Sequence, residues 1–294
     1  MRLRWLKTAI SLLLVILHRH ASGELNIESF LARGCQSRGV VCDAQGNAIE
    51  LDLERWRNEK LNIIHLLEGL DKGLEKVRHL KSLKLGHNKL TSFPMSVLQL
   101  PELETLFLNN NMLTKLPGEI RQLRSLQTLN LNNNMLTALP REIGQLQSLR
   151  TLYLGRNKLE RLPEQLAQLL NLEKLVLNSN SFSTFPSAIL GLPRLRELRL
   201  RSNGLRRVPD DIASLSTLSK LDLVSNKLTS LPPELGLLPS LTHLYVEDNS
   251  IKRFPDTFEQ LWLNEGLFAD PAERPSESEG FQPLFVDTSI TAEL

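Results

Sequence analysis

The side chains best suited to chemistry form a row in which one residue recurs every 23 positions. They combine aromatic, amide and charged groups: Lys84, Phe107, Asn130, Tyr153, Val176, Arg199, Asp222 and Tyr245. Exposed aromatic rings beside charged groups are frequent energetic centres of protein interfaces. The row therefore predicts non-covalent recognition of a partner. The alternative is that the aromatic rings only pack along a strand ladder.

A second column of residues lies two positions after the first. Its middle is neutral and rich in amides: Gly86, Asn109, Asn132, Gly155, Asn178, Arg201, Val224 and Glu247. Arg199 and Arg201 stand beside Asp222 and form a charge boundary suited to orienting a partner, unless they are only a solvated edge. Phosphate recognition is not expected, because no glycine-rich loop accompanies these arginines.

Groups that could act in catalysis or bind a metal occur in no known spacing. Four histidines are scattered without a nucleophilic Ser or Cys at a matching distance: His65, His79, His87 and His243. Cys35 and Cys42 have no accompanying His pair, so a zinc site is not expected. We predict no enzyme, no catalytic or metal-binding residue and no cofactor. The formal net charge of +2 also argues against a nucleic-acid partner.

A strict repeat indicates the elements that position these residues. Asparagine recurs every 23 residues, at 88, 111, 134, 157, 180, 203, 226 and 249. A proline stands six positions after each of these asparagines. Leucines precede each asparagine in an L-x-x-L-x-L-x-x-N-x-L pattern, and the chain holds 66 leucines among its 294 residues. A period of this length is typical of a solenoid, and this pattern is the signature of a leucine-rich repeat.

Each position of the repeat has a physical role. Leu-x-Leu predicts a short strand with one buried face, and the asparagine amide is expected to satisfy backbone groups of the turn. Proline begins a return segment, in which Leu116, Ile120 and Leu123 supply the buried side. The predicted fold class is α/β, a leucine-rich repeat solenoid with a curved parallel sheet on its concave face and short helical or extended return segments on its convex face.

Three segments carry closer resemblances. LPGEIRQL at 116–123 and LPREIGQL at 139–146 resemble the 23-residue class of Ras-suppressor-type scaffolds, plant Ras-group proteins and bacterial repeat proteins. That resemblance implies a protein-binding surface. The segment 34–53 resembles the N-terminal cap of plant-type extracellular repeat proteins, which implies a disulfide between Cys35 and Cys42 in an oxidising compartment. Two reduced thiols are the alternative.

The chain divides by composition into four parts. Residues 1–23 are predicted to be a signal peptide, because they have a basic start and a short apolar run, with Ala21 and Gly23 at the positions a signal peptidase requires. Residues 24–79 form the cap and an irregular zeroth repeat with an insertion, and 80–263 form eight 23-residue repeats. Residues 264–294 form a C-terminal cap and an acidic tail that we expect to be mobile. We predict neither a transmembrane nor a lipid anchor.

These observations favour an exported, non-enzymatic recognition module that binds another protein through its concave face. One alternative is an intracellular scaffold or signalling regulator of the Ras-suppressor type in the cytoplasm, with the N-terminus misread as a signal peptide. A second alternative is binding of a glycan or envelope polymer, for which the amides and aromatic rings are also suited. We expect a monomer.

Overall fold

A computed structural model gives the architecture of the chain and describes residues 39–45, 48–54, 79–259, 261 and 267–268. The chain forms two compact units, Met1–Leu152 and Tyr153–Leu294. The predicted signal peptide at 1–23, Cys35 and the acidic segment after Phe268 lie outside the described residues. Almost all of the insertion expected in the zeroth repeat, 55–78, also lies outside them.

In the described part of the first unit, an antiparallel hairpin is followed by parallel strands. Strand β1 pairs with β2, and β2 pairs in parallel with β3, which is followed in the same way by β4 and β5. Their bounds are β1 Val40–Cys42, β2 Ala48–Asp52, β3 Ser82–Lys84, β4 Thr105–Phe107 and β5 Thr128–Asn130. Strand β6, Thr151–Tyr153, lies where the first unit ends and the second begins.

The second unit continues the same pattern of short parallel strands. They are β7 Lys174–Val176, β8 Glu197–Arg199, β9 Lys220–Asp222, β10 His243–Tyr245 and β11 Leu267–Phe268. From β7 to β11, each strand pairs in parallel with the next. A fully buried leucine lies at the centre of each of the strands β7 to β10. In β8 this residue is Leu198, and its neighbours Glu197 and Arg199 are half-buried, which is the alternation expected of a strand. The predicted parallel-strand solenoid is confirmed in each unit.

Short helices form the return segments, as the proline positions predict. All but one are 3₁₀ helices: Met95–Gln99, Gly118–Gln122, Arg141–Gln145, Glu164–Gln168, Ser187–Gly191, Asp210–Ser214 and Asp256–Phe258. The exception is the four-residue α-helix Pro233–Gly236. A proline in extended conformation precedes each helix, because its fixed φ suits entry into a helix and it has no N–H to leave unpaired. Buried side chains such as Ile120 turn each helix toward the core.

The repeated asparagines have the structural role predicted for them. The Oδ1 atom of Asn111 accepts hydrogen bonds from the N–H groups of Asn88 and Leu90 at 3.1 and 2.9 Å. Its Nδ2 atom donates to the carbonyls of Leu85 and Leu108 at 2.9 and 3.0 Å. The same bonds recur at other repeats, so we call these residues the ladder asparagines.

The residue before each ladder asparagine has a left-handed backbone, which the repeat pattern did not predict. Its φ lies between 54° and 60° at His87, Asn110, Asn133, Arg156, Ser179, Ser202, Ser225 and Asp248. This region disfavours most side chains other than glycine and asparagine. The turn is therefore set by the bonds of the ladder asparagine rather than by the intrinsic preference of the residue before it.

The cap joins the repeats in register although the leucine spacing changes there. Leu51 and Leu83 are 32 residues apart in sequence, yet they pair directly across β2 and β3. Leu53 is buried, and its carbonyl accepts a hydrogen bond of 2.8 Å from Asn88 Nδ2. Residues 48–54 thus supply a full repeat strand that pairs directly with β3.

Within the described part of the chain, no helix combines the length and the apolar character needed to cross a bilayer.

Candidate functional site

The candidate site is the outward side of the strands, which we call the strand face and describe separately in each unit. Each three-residue strand from β3 to β10 buries its central leucine and leaves the residues on either side of it at least partly exposed, except in β7, where Val176 of the predicted row is also buried. The other strands therefore present two side chains in line, as Glu197 and Arg199 do around Leu198. The predicted row contains the second of these two positions. The first position adds charged side chains in the second unit, namely Lys174, Glu197 and Lys220, but not in β3 to β5 of the first unit.

Lys174 on β7 and the pair Glu197 and Arg199 on β8 form a three-membered ion cluster on the strand face of the second unit. The Glu197 carboxylate accepts a hydrogen bond from Arg199 Nε at 2.5 Å and lies 3.1 Å from Lys174 Nζ. Its side chain is only 19 % exposed. Burial raises the pKa of Glu197, but Arg199 and Lys174 outweigh burial and hold the pKa below its usual value. Glu197 is therefore held in its charged form.

Lys174 also connects Tyr153 to this cluster. The Lys174 ammonium lies 5.6 Å from the centre of the Tyr153 ring, within the range of a cation–π interaction. Tyr153 remains half-buried, so part of its ring faces solvent. A tyrosine held from one side and open on the other is suited to contact a partner without a large loss of side-chain entropy.

Arg201 and Asp222 form the next pair along the same face. Arg201 Nε lies 3.4 Å from Asp222 Oδ2, and Asp222 Oδ1 accepts a hydrogen bond from the Val224 N–H at 3.1 Å. Burial raises the pKa of Asp222 above its usual value, although Arg201 and the Val224 N–H oppose the shift. The charge boundary expected at Arg199 and Arg201 is thus made of arginines already paired with carboxylates.

An aromatic pair follows on β10. The rings of His243 and Tyr245 stack with centroids 6.2 Å apart and planes 22° apart. Burial first, and then the nearby Lys220 ammonium, lower the pKa of His243 below its usual value, so the neutral ring predominates at neutral pH. Strand register places Asp222 opposite both Arg199 and Tyr245, so the pair is continuous with the charged part of the face.

The strand face of the first unit concentrates its charge near the cap. Lys84 Nζ donates a hydrogen bond of 2.6 Å to Glu50 Oε1 and lies 3.9 Å from Asp52, and the hydrogen bond to Glu50 raises the pKa of Lys84. Phe107 pairs in register with Lys84 on one side and with Asn130 on the other. The three predicted residues of this unit therefore form one continuous row, in which Lys84 is neutralised by acidic groups of β2.

The structure brings most predicted residues together within each unit, but the sequence did not identify their ionic partners. Lys174, Glu197 and Glu50 were not among the predicted site residues. The alternation of side chains along a strand could have identified them, because residues two positions apart on a strand lie on the same face. Cys42 ends β1, whereas Cys35 lies outside the described residues.

Among the described residues, no group of three or more His, Cys, Asp or Glu side chains is arranged to hold a metal ion.

Solved structures with the same architecture come from several kinds of organism. A leucine-rich repeat protein of Leptospira interrogans is 38 % identical, with a TM-score of 0.65 over 74 % of this chain and 58 % of its own. The plant peptide hormone receptor RGFR1, solved in complex with RGF2, is 30 % identical, with a TM-score of 0.64 over 80 % and 37 %. The chain spans well under two thirds of the length of both.

A receptor kinase ectodomain of Arabidopsis thaliana, solved with Casparian strip integrity factor 2, is 28 % identical, with a TM-score of 0.55 over 71 % of this chain and 29 % of its own. No curated protein matches the chain. The leucine-rich repeat model matches residues 78–136, 147–205 and 216–264, and a two-copy model matches 124–168. With these matches and the repeated strand, ladder and return helix, the chain belongs to the leucine-rich repeat family.

Proposed function

We propose that the chain is an exported, non-enzymatic binding module that recognises a protein partner through the strand face of its second unit. The observation that carries this proposal is the ordered set of half-buried aromatic and charged groups around Tyr153, Lys174, Glu197 and Arg199. Internal ion pairs fix these side chains before a partner arrives, which lowers the entropy lost on binding. Two of the structural neighbours, a plant peptide hormone receptor and a plant receptor kinase ectodomain, were solved in complex with RGF2 and with Casparian strip integrity factor 2, which supports the proposal.

The charged groups give this face specificity more than affinity. Arg199 and Arg201 keep donor N–H groups beyond those used by Glu197 and Asp222, since a guanidinium has five. A partner carboxylate can therefore add to an existing pair without separating it. Tyr245 and Tyr153 supply the apolar contact area on which tight protein binding depends.

A photo-reactive group at position 153 tests the proposal directly. Crosslinking followed by mass spectrometry is expected to identify one partner protein, and the double variant Tyr153→Ala, Arg199→Glu is expected to lose its capture. The matched control is Leu237→Ala with Arg194→Glu, because both residues are exposed and lie outside the strand face. Full capture by the first double variant would refute the site.

Export is the second part of the proposal. Among the described residues no cysteine is free, which supports a disulfide from Cys42 to Cys35, the other cysteine of the chain. A plant-type cap with that bond and a cleaved signal peptide at 1–23 accord with an oxidising compartment. Sequencing of the mature N-terminus and thiol labelling test this part. A retained Met1 with two reduced thiols would instead favour the cytoplasmic Ras-suppressor-type scaffold.

Glycan binding is a second candidate for the same face. The stacked rings of His243 and Tyr245 favour it, because a flat aromatic surface can receive the apolar face of a sugar. Removing the glycans of the crosslinked partner separates the two functions. Capture that survives deglycosylation supports protein recognition, and capture that disappears supports a glycan ligand.

A further inference from the structure

A second surface of the second unit has an unusual composition. We call it the turn edge, and define it by the residues one before, one after, three after and four after each ladder asparagine from 157 to 249. Of these 20 positions, eight are basic, two are acidic, nine carry hydroxyl groups and one is glycine. Eight minus two gives the turn edge a formal charge of +6, three times the net charge of the whole chain.

The basic groups of the turn edge are all exposed. They are Arg156, Lys158, Arg161, Arg206, Arg207, Lys227, Lys252 and Arg253. None of the eight forms an ion pair with another described residue, in contrast to Lys174, Arg199 and Arg201 on the strand face. Uncompensated cations at this density repel one another, and an anionic ligand would relieve that repulsion.

Backbone hydrogen bonds align these positions from one repeat to the next. The N–H of Ser179 donates to the Arg201 carbonyl at 2.8 Å, and that of Ser202 donates to Val224 at 2.8 Å. After the asparagine, the N–H of Lys227 donates to Leu205 at 2.8 Å. Successive turns stack at the strand spacing of about 4.8 Å, so the five turns extend over roughly 19 Å, and cations stand on four of them.

The hydroxyl groups lie between the cations and complete the chemistry of the surface. They belong to Ser179, Ser181, Ser183, Thr184, Ser202, Ser225, Thr229, Ser230 and Ser250. Each hydroxyl both donates and accepts hydrogen bonds, as the hydroxyls of a sugar chain do. None of the 20 positions carries an aromatic ring for base stacking or an apolar side chain for insertion into a lipid surface.

We propose that the turn edge binds a linear anionic polysaccharide, whose sulfate or carboxylate groups pair with the arginines and lysines while its hydroxyls bond to the serines and threonines. The site is separate from the strand face and does not depend on the protein-binding function proposed above. Arginine is suited to this role because its fork of N–H groups matches the geometry of an oxyanion.

The proposal is tested by measuring the affinity of the full-length protein for heparin. Isothermal titration calorimetry gives this affinity in about 50 and 200 mM NaCl. The variant Arg206→Ser, Arg207→Thr introduces the residues that the preceding repeat holds at the same two positions, Ser183 and Thr184, so the fold is expected to tolerate it. Binding is expected to weaken about tenfold and to become less sensitive to salt. Polygalacturonate, which carries carboxylates alone, distinguishes carboxylate recognition from sulfate recognition, and dextran is expected not to bind.

The control variant Arg121→Gln, Arg124→Gln removes two exposed arginines of the first unit and is expected to change heparin affinity less than twofold. Equal heparin binding by the wild type and the Arg206, Arg207 variant would overturn the proposal. So would tighter binding, at the same salt, to duplex DNA or to vesicles containing phosphatidylserine.

The acidic tail of this chain, within residues 264–294, is the remaining candidate ligand of the turn edge. If Glu273→Gln, Glu277→Gln, Glu279→Gln raised heparin affinity more than tenfold, the tail would be the main occupant and the proposal would be wrong.

Discussion

The two units have interiors of the same kind but expose different side chains. Leu106 in the first unit and Leu198 in the second are both fully buried at the centre of their strands. Directly after the ladder asparagine, however, the first unit exposes Met112 and Met135 besides Lys89, whereas the second exposes only polar side chains there, such as Lys158 and Lys227. The solenoid dictates the positions it buries, so information about ligands resides in the positions that packing leaves unconstrained.

The strand faces differ in the same manner. Charge in the first unit is confined to Lys84 and its acidic neighbours on β2, after which Phe107 and Asn130 follow without an ion pair. In the second unit, ion pairs continue from Lys174 to Asp222 across three strands. The second unit therefore has the greater capacity for specific recognition, since charge complementarity selects among partners more than it adds affinity.

Because the two units have interiors of the same kind, we expect the loss of a ladder asparagine to destabilise either unit to a similar extent. Asn134→Ala leaves the Leu113 N–H and the carbonyls of Leu108 and Leu131 without their side-chain partner. Each unsatisfied buried group costs about 1–3 kcal/mol, so we expect the free energy of unfolding to fall by about 3 kcal/mol. Asn226→Ala in the second unit is expected to have a similar effect, because it loses the equivalent bonds.

Urea denaturation measures both effects, with the exposed Thr137→Ala as the control, for which a change below about 0.5 kcal/mol is expected. A loss in Asn226→Ala that is several-fold smaller than in Asn134→Ala would show that the interiors are not equivalent.

Two carboxylates of the second unit are expected to respond to pH with opposite signs. The pKa of Glu197 is lowered in the folded state, so its stabilising contribution is present above the unfolded pKa and is lost as pH falls through the folded pKa. The pKa of Asp222 is raised, chiefly by burial, so ionised Asp222 destabilises the fold as pH rises through its folded pKa. At pH 7, Glu197→Gln is therefore expected to lower stability by roughly 0.5–1 kcal/mol, whereas Asp222→Asn leaves it unchanged or raises it.

Unfolding curves at neutral pH and near pH 3 measure this contrast, and both differences from wild type are expected to shrink at the lower pH. Destabilisation of equal size by the two variants at pH 7 would contradict the assignment of Asp222 as a carboxylate whose pKa is governed by burial.

The smallest effect concerns the aromatic pair of β10. Lys220→Gln removes the charge that helps to lower the pKa of His243, although burial contributes more. The pKa of His243 is therefore expected to rise by a small amount and to remain below its usual value. Proton NMR titration of the His243 ring measures it, with Lys227→Gln on the turn edge as the matched control. An unchanged pKa in Lys220→Gln would show that Lys220 does not act on this ring.

The sequence predicted the structural roles of residues that recur with the repeat period. It did not predict the contacts that depend on the conformations of neighbouring side chains. The buried Leu198, the ladder role of Asn203 and the start of a helix after Pro209 all follow from periodicity and from properties of single residue types. The pairs of Glu197 with Arg199 and Lys174 do not, because they depend on side-chain conformations that the repeat period does not determine.

The left-handed backbone at Ser202 was also missed, since serine has no intrinsic preference for that region. There the hydrogen bonds of the neighbouring asparagine determine a conformation that the residue itself disfavours. Intrinsic preference is thus a poor guide where a side chain one position away supplies several bonds.

The hairpin of β1 and β2 changes the edge that the parallel strands would otherwise present. A stack of parallel strands can grow by adding another parallel strand at its edge, and end-to-end polymers would follow. Strand β1 runs antiparallel to β2, and its register shifts between Val41 and Cys42. Among the described residues, β1 therefore ends the parallel strands with an irregular edge, and we expect this edge to disfavour the addition of a repeat strand from a second copy.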